Sequence, residues 1–121
     1  MSDQVQFVVE LTIGAGGLAR FKELAQAATD AVQAQEPGTI GYQWYISEDQ
    51  KCAFVIEWYA HADLIPGHMQ LVHPILVQMG EVSQVARFEV FGNLTEAAKQ
   101  ALAPAKPGMY GYWLGFTRCQ G

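Results

Sequence analysis

Five side chains carry the chemistry that this sequence can offer: Tyr42, Trp44, Phe54, Trp58 and His68. An imidazole has an ordinary pKa close to neutral, so His68 is the candidate general base. The four aromatic residues can wall a pocket for a flat, apolar ligand beside that base. Each has a plainer reading. His68 can pack at a helix–sheet contact with its ring nitrogens satisfied. Aromatic residues on an apolar strand face can simply fill a core. His73 precedes Pro74, where an irregular turn is expected, and His61 precedes a helix start, so both belong at the surface. Three histidines without carboxylates at ligand spacing make no metal site. Cys52 and Cys119 form no CxxC pair and are expected as free thiols in a reducing cytoplasm.

Hydrophobic periodicity marks the elements that must position these residues. Val5, Phe7, Val9, Leu11 and Ile13 alternate with Gln6, Val8, Glu10 and Thr12, which predicts a strand over 5–13. Leu18, Phe21, Leu24, Ala28 and Val32 recur at helical spacing until Pro37-Gly38 ends the helix. EPGTIGYQWYISED, residues 36–49, then holds a strand with Ile40, Tyr42, Trp44 and Ile46 on one face. A turn at 48–50 leads into CAFVIEWY, 52–59. There Cys52, Phe54, Ile56 and Trp58 share one face, and Ala53, Val55, Glu57 and Tyr59 the other. A second helix starts near Asp63, with Ile65, His68 or Met69, Val72 and Met79 on its apolar stripe; Pro74 predicts a break or kink in it. A fourth strand covers about 84–92. Asn93 with Glu96 predicts the cap of a short helix over about 94–103. YGYWLGF, 110–116, predicts a fifth strand.

The order β-α-β-β-α-β implies an α+β, ferredoxin-like antiparallel sheet with both main helices on one face, plus a C-terminal helix and strand. One domain is expected over 1–121, with its core at about 5–92 and an extension at about 93–121. The wholly apolar strand faces, Phe54 and Trp58 included, should lie beneath the helices. The mixed faces remain: Gln6, Val8, Glu10, Gln43, Tyr45, Val55, Glu57, Tyr59, Arg87 and Glu89. They are too apolar for water and too charged for a dry core. A second copy of the sheet would cover them, with Tyr45 and Tyr59 at the homodimer interface and Glu10 paired to Arg87 across strands. A half-polar, solvated sheet is the alternative.

The chain has 121 residues, is 50% hydrophobic and carries a net charge of −5 with no basic run. It can bury a core. It lacks the cations that nucleic acid or an anionic membrane surface requires. No segment reaches the length of a membrane span, and MSDQVQF lacks the pattern of a signal peptide. GAGGLA, 14–19, matches a dinucleotide-binding fingerprint. The next strand continues into a hairpin rather than a second crossover, so these glycines are expected only to turn the chain.

EPGTIGYQWYISED, the hairpin into FVIEWYAHAD, His68 and then VARFEVFGN together resemble the antibiotic biosynthesis monooxygenase family, as does the GFTR of the tail. The resemblance implies a dimeric α/β-barrel. It also implies quinol-type monooxygenases that need no metal or flavin, haem-degrading enzymes, or members without assigned activity. The haem-degrading branch uses an asparagine, a tryptophan and a histidine. The first strand here has no asparagine, Gly67 or a neighbour stands where the tryptophan would fall, and His68 and His73 come several residues early. The function so implied is cofactor-independent monooxygenation of a phenolic or quinol-like small aromatic molecule, with His68 as base. A non-catalytic ligand-binding or stress-response dimer is the alternative, and haem binding through His68 or His73 a third.

Overall fold

The computed structural model describes residues 3–118. Its elements follow the expected order: β1 (Val5–Ile13), α1 (Leu18–Gln35), β2 (Thr39–Ile46), β3 (Cys52–Tyr59), a 3-10 turn (Ala62–Leu64), α2 (Ile65–Met79), β4 (Ser83–Phe91), α3 (Glu96–Leu102), a second 3-10 turn (Ala103–Ala105) and β5 (Gly108–Tyr110). The sheet runs β2-β3-β1-β4-β5. Its first four strands are antiparallel neighbours, and β5 joins β4 in parallel. This is the ferredoxin-like arrangement, α+β, with a C-terminal addition.

Two apolar clusters lie between sheet and helices. Val5, Phe7, Tyr59, Ile65, Val90 and Leu102 form one. Leu11, Ile13, Phe21, Leu24, Ala53, Val55 and Met79 form the other. The buried residues of α1 are Phe21, Leu24, Ala28 and Val32, the stripe that the sequence spacing predicts. The glycine turn before α1 is tied by Gly14 N–H to Val82 O at 2.8 Å, a turning role rather than a nucleotide loop.

The expected faces of β3 are reversed. Ala53, Val55, Glu57 and Tyr59 are the buried set, while Cys52, Phe54, Ile56 and Trp58 are only half-buried on the opposite face. The cause is register. Residues directly opposite in an antiparallel pair point to the same side. Glu57 stands opposite Phe7, Val55 opposite Val9 and Ala53 opposite Leu11, and Phe7 and Leu11 are core. Trp58 therefore lies with Gln6 and packs over Gly41, where a Cβ would stand 2.6 Å from its ring. Phe54 and Trp58 do not line a pocket beneath the helices, and Tyr59 does not face a partner: it is 0% exposed. Tyr45 does lie on the outer face and is exposed. Ile40, on the far side of an irregularity between Thr39 and Gly41, is exposed as well.

Three local expectations also change. Helix α2 is continuous through Pro74, with no break. The cap of α3 is Thr95, whose Oγ1 accepts from Ala98 N–H at 3.1 Å. Asn93 instead accepts Tyr112 N–H at 3.3 Å and ties down the tail. The fifth strand covers only 108–110, and beyond it Trp113, Leu114 and Phe116 are exposed. Across β1 and β4, Glu10 pairs with Arg87 in register, at 3.9 Å, while Glu89 lies closer to Arg87 at 3.4 Å. Exposed pairs of this kind contribute little, roughly 0–1 kcal/mol. Cys52 is a free thiol; Cys119 lies outside the described residues.

Candidate functional site

Register places one carboxylate in the core. Glu57 is buried at 5% exposure because its neighbours Val55 and Tyr59 belong to the helix-facing set. A buried carboxylate needs partners, and Glu57 has two on Oε1. Tyr59 donates its hydroxyl to it, and His68 Nε2 lies 3.2 Å away. His68 reaches this point because it falls on the buried stripe of α2 with Ile65 and Val72. Phe7, Tyr42 and Tyr59 surround its ring at centroid distances of 6.4, 6.1 and 5.1 Å.

A second carboxylate holds the other ring nitrogen. Glu36 is the first residue after α1, where its N–H still reaches Val32 O at 2.9 Å. Both of its carboxylate oxygens lie 3.0 Å from His68 Nδ1, and Thr39 Oγ1 donates to Oε1 at 2.7 Å. The loop that carries it passes tightly against the 3-10 turn before α2: a Cβ on Gly38 would stand 2.7 Å from Leu64 Cδ1. The result is a carboxylate–imidazole–carboxylate row with the imidazole at its centre.

The electrostatics follow from this geometry. Burial by itself would lower the pKa of His68, but the bonds and charges of Glu36 and Glu57 overcome it and raise the value to about 9. His68 is thus an imidazolium at neutral pH. Burial alone would raise Glu36, yet the bonds from His68 and Thr39 leave it below its ordinary value. Tyr42 and Tyr59 are both held protonated, first by burial and then by the charge of Glu57.

A cavity of about 130 Å³ lies against this row. Phe7, Tyr42, Trp44, Val72, Met79 and Phe88 line it together with Glu57 and His68. Its wall is almost wholly apolar, and Glu57 and His68 supply its charge. Trp44, one of the lining residues, also has a buried Nε1–H without a partner among the described residues. Of the five candidates read from sequence, Tyr42, Trp44 and His68 meet here, whereas Phe54 and Trp58 lie on the other side of the sheet. Glu36 and Glu57 were missed. A lone carboxylate inside the apolar run CAFVIEWY was the available signal for Glu57; Glu36, in a polar stretch before a Pro-Gly turn, carried none.

The row leaves little room for a metal or for haem iron on His68, since both ring nitrogens face carboxylates. His73 is exposed on α2. Among the described residues no cluster of His, Cys, Asp and Glu is arranged to hold a metal ion, and no helix is long and apolar enough to cross a membrane.

Solved structures share this fold. MupZ from Pseudomonas fluorescens superposes with a TM-score of 0.84 at 18% identity, over 98% of this chain and 91% of that one. SnoaB, a cofactor-independent oxygenase from Streptomyces nogalater, has a TM-score of 0.66 at 18% identity, over 78% of this chain and 96% of that one. Rv0793 from Mycobacterium tuberculosis has a TM-score of 0.66 at 21% identity, over 78% and 98%. No curated protein matches the chain. The family model for antibiotic biosynthesis monooxygenases matches residues 5–73, a span that contains Glu36, Glu57 and His68. That span is more than half of the chain, which therefore belongs to the antibiotic biosynthesis monooxygenase family.

Proposed function

We propose that the protein is a cofactor-independent monooxygenase acting on a small phenolic or quinol-like molecule held in the cavity between sheet and helices. The observation that carries this reading is an apolar cavity whose charged edge is the Glu57–His68 pair. SnoaB, of the same fold, is a cofactor-independent oxygenase. A volume of about 130 Å³ suits a single ring, since an apolar cavity of roughly 150 Å³ accommodates benzene. The unpartnered Trp44 Nε1–H offers a bond to a ligand oxygen, and Glu57 or the neutral form of His68 can accept a phenolic proton.

The balance of the reaction is simple. A phenol and dioxygen give a para-quinone and water. The deprotonated ring supplies electrons to dioxygen, one oxygen atom enters the ring carbon, and the other leaves as water. Protons for that water come from the substrate by way of the Glu57–His68 pair. Placing charge in a dry site strengthens each of these contacts.

Oxygen uptake with incorporation of labelled dioxygen into the product tests the reading, with phenol, catechol and 1-naphthol, each with a free para carbon, as probes. Turnover above the spontaneous rate supports it. No uptake over the whole panel, together with measurable ligand binding, favours the non-catalytic binding dimer instead. Substituting Trp44→Phe removes the donor but keeps the ring, and should raise KM about tenfold, the value of one ordinary hydrogen bond of roughly 1 kcal/mol or slightly more. An unchanged KM would remove Trp44 from ligand recognition.

The functional unit we propose is a homodimer joined through the outer sheet face. The reversal of β3 supports it, because Phe54, Ile56 and Trp58 now join Val8, Tyr45 and Phe91 on that face. All six are half-buried or exposed, and a contiguous apolar patch of this kind marks an interaction surface. Ile56→Arg should convert the dimer to monomer in sedimentation equilibrium without loss of fold; an unaltered mass would place the interface elsewhere. A reducing cytoplasm suits the free Cys52 thiol of such a protein.

A further inference from the structure

We infer that Glu36 is a positioning residue for the reaction: it fixes the His68 ring so that Nε2, beside Glu57 and the cavity, is the atom that gives up and regains a proton. This rests on the reading above that the cavity is a site of proton transfer. Glu36 does not line the cavity. It acts from behind the ring, through two oxygens that lie equally far, 3.0 Å, from Nδ1. A neutral imidazole keeps a single proton, and that proton stays where the better acceptor holds it. Nδ1 faces both oxygens of Glu36, and Thr39 donates only to Oε1, so Oε2 is left to the imidazole. Nε2 faces Glu57 Oε1, whose electron density is already shared with the Tyr59 hydroxyl. When the imidazolium donates, the Nε2–H bond therefore breaks, its proton passes to Glu57 or to the oxygen that leaves as water, and the Nδ1–H bond is kept. The freed lone pair on Nε2 then accepts the next proton from the substrate or from Glu57.

The burial gradient supports the assignment. The His68 and Glu57 side chains are 3% and 6% exposed, and that of Glu36 is 12% exposed, so Glu36 stands at the solvent side of the row. The groups that face the imidazole are Glu36 from the loop after α1, Glu57 and Tyr59 from β3, and Tyr42 from β2. Both tyrosines are held protonated and Glu36 is held below its ordinary value, so neither they nor Glu36 change charge where His68 titrates.

The test compares Glu36→Gln and Glu36→Asp with the unaltered protein. Nitrogen-15 NMR of the imidazole reads both titration and tautomer without any turnover. In Glu36→Gln the His68 titration should fall by at least one pH unit, and the neutral ring should lose its clean Nδ1–H form. The alkaline limb of kcat should move down by the same interval while KM stays within twofold. Glu36→Asp should restore part of both effects. An unshifted titration and tautomer in a folded Glu36→Gln variant would overturn the inference. If no quinol is turned over by the unaltered protein, the NMR still decides the role of Glu36, and the failure belongs to the monooxygenase reading alone.

Discussion

Glu57→Gln should remove nearly all turnover on any quinol that the unaltered protein oxidises, while the protein remains folded. Positioned acid–base groups contribute on the order of 10²–10⁴ in rate, and Glu57 is the carboxylate that both lines the cavity and touches His68 Nε2. The amide is nearly isosteric, so the cavity keeps its shape. It can still accept the Tyr59 and Nε2–H bonds through its oxygen. What it cannot do is take a proton or balance the imidazolium. Loss of kcat by 10²-fold or more with little change in KM is the expected result. The His68 titration should fall as well, because one of its two carboxylates is gone. Turnover within threefold of normal would take Glu57 out of the chemistry and leave it a structural acid.

His68→Ala should have the largest effect on stability, and the effect should depend on pH. Removing one partner of a buried ionic set leaves the others uncompensated, at a cost of roughly 3–5 kcal/mol. Here two carboxylates would face each other across the space the ring had filled. The sign follows from the pKa directions. His68 is raised from 6.5 to about 9, so its contribution is fully present below about 6.5 and is lost as pH rises through about 9. Glu36 is lowered from its ordinary 4.5, so its contribution is present above that value and is lost as pH falls below it. The stability gap between the unaltered protein and His68→Ala should therefore be widest between about pH 5 and pH 6.5, shrink as pH rises through about 9, and narrow again as pH falls below about 4.5. Urea unfolding at pH 4, 7 and 10 measures it. A gap independent of pH would show that the ring contributes packing alone.

Much of the scaffold was legible because it rests on local periodicity. The 5–13 alternation and the Phe21, Leu24, Ala28, Val32 stripe each point to one face, and that face is the buried one. The strand-helix-strand-strand order needs only turn residues and element lengths, and it leads to the antiparallel topology observed. His68 was found on the same ground, as a polar residue on an otherwise apolar helical stripe.

The site as a whole was not legible, and β3 shows why. CAFVIEWY has two faces of similar apolarity, one with Phe54, Ile56 and Trp58, the other with Val55 and Tyr59. Hydrophobicity alone favours burying the first. Pairing with β1 decides otherwise, since a shift of one residue in register moves every side chain to the opposite face. That choice carries Glu57 inward and the Phe54 and Trp58 rings outward. Glu36 is further still from sequence logic: it lies 32 positions from His68 and meets it only because the loop after α1 closes under the start of α2. Sequence by itself determined the elements, their order and one ionisable residue on the core side. The tertiary structure alone determined which residues surround it, because long-range charge pairing depends on strand register and loop closure, and neither leaves a periodic trace in the chain.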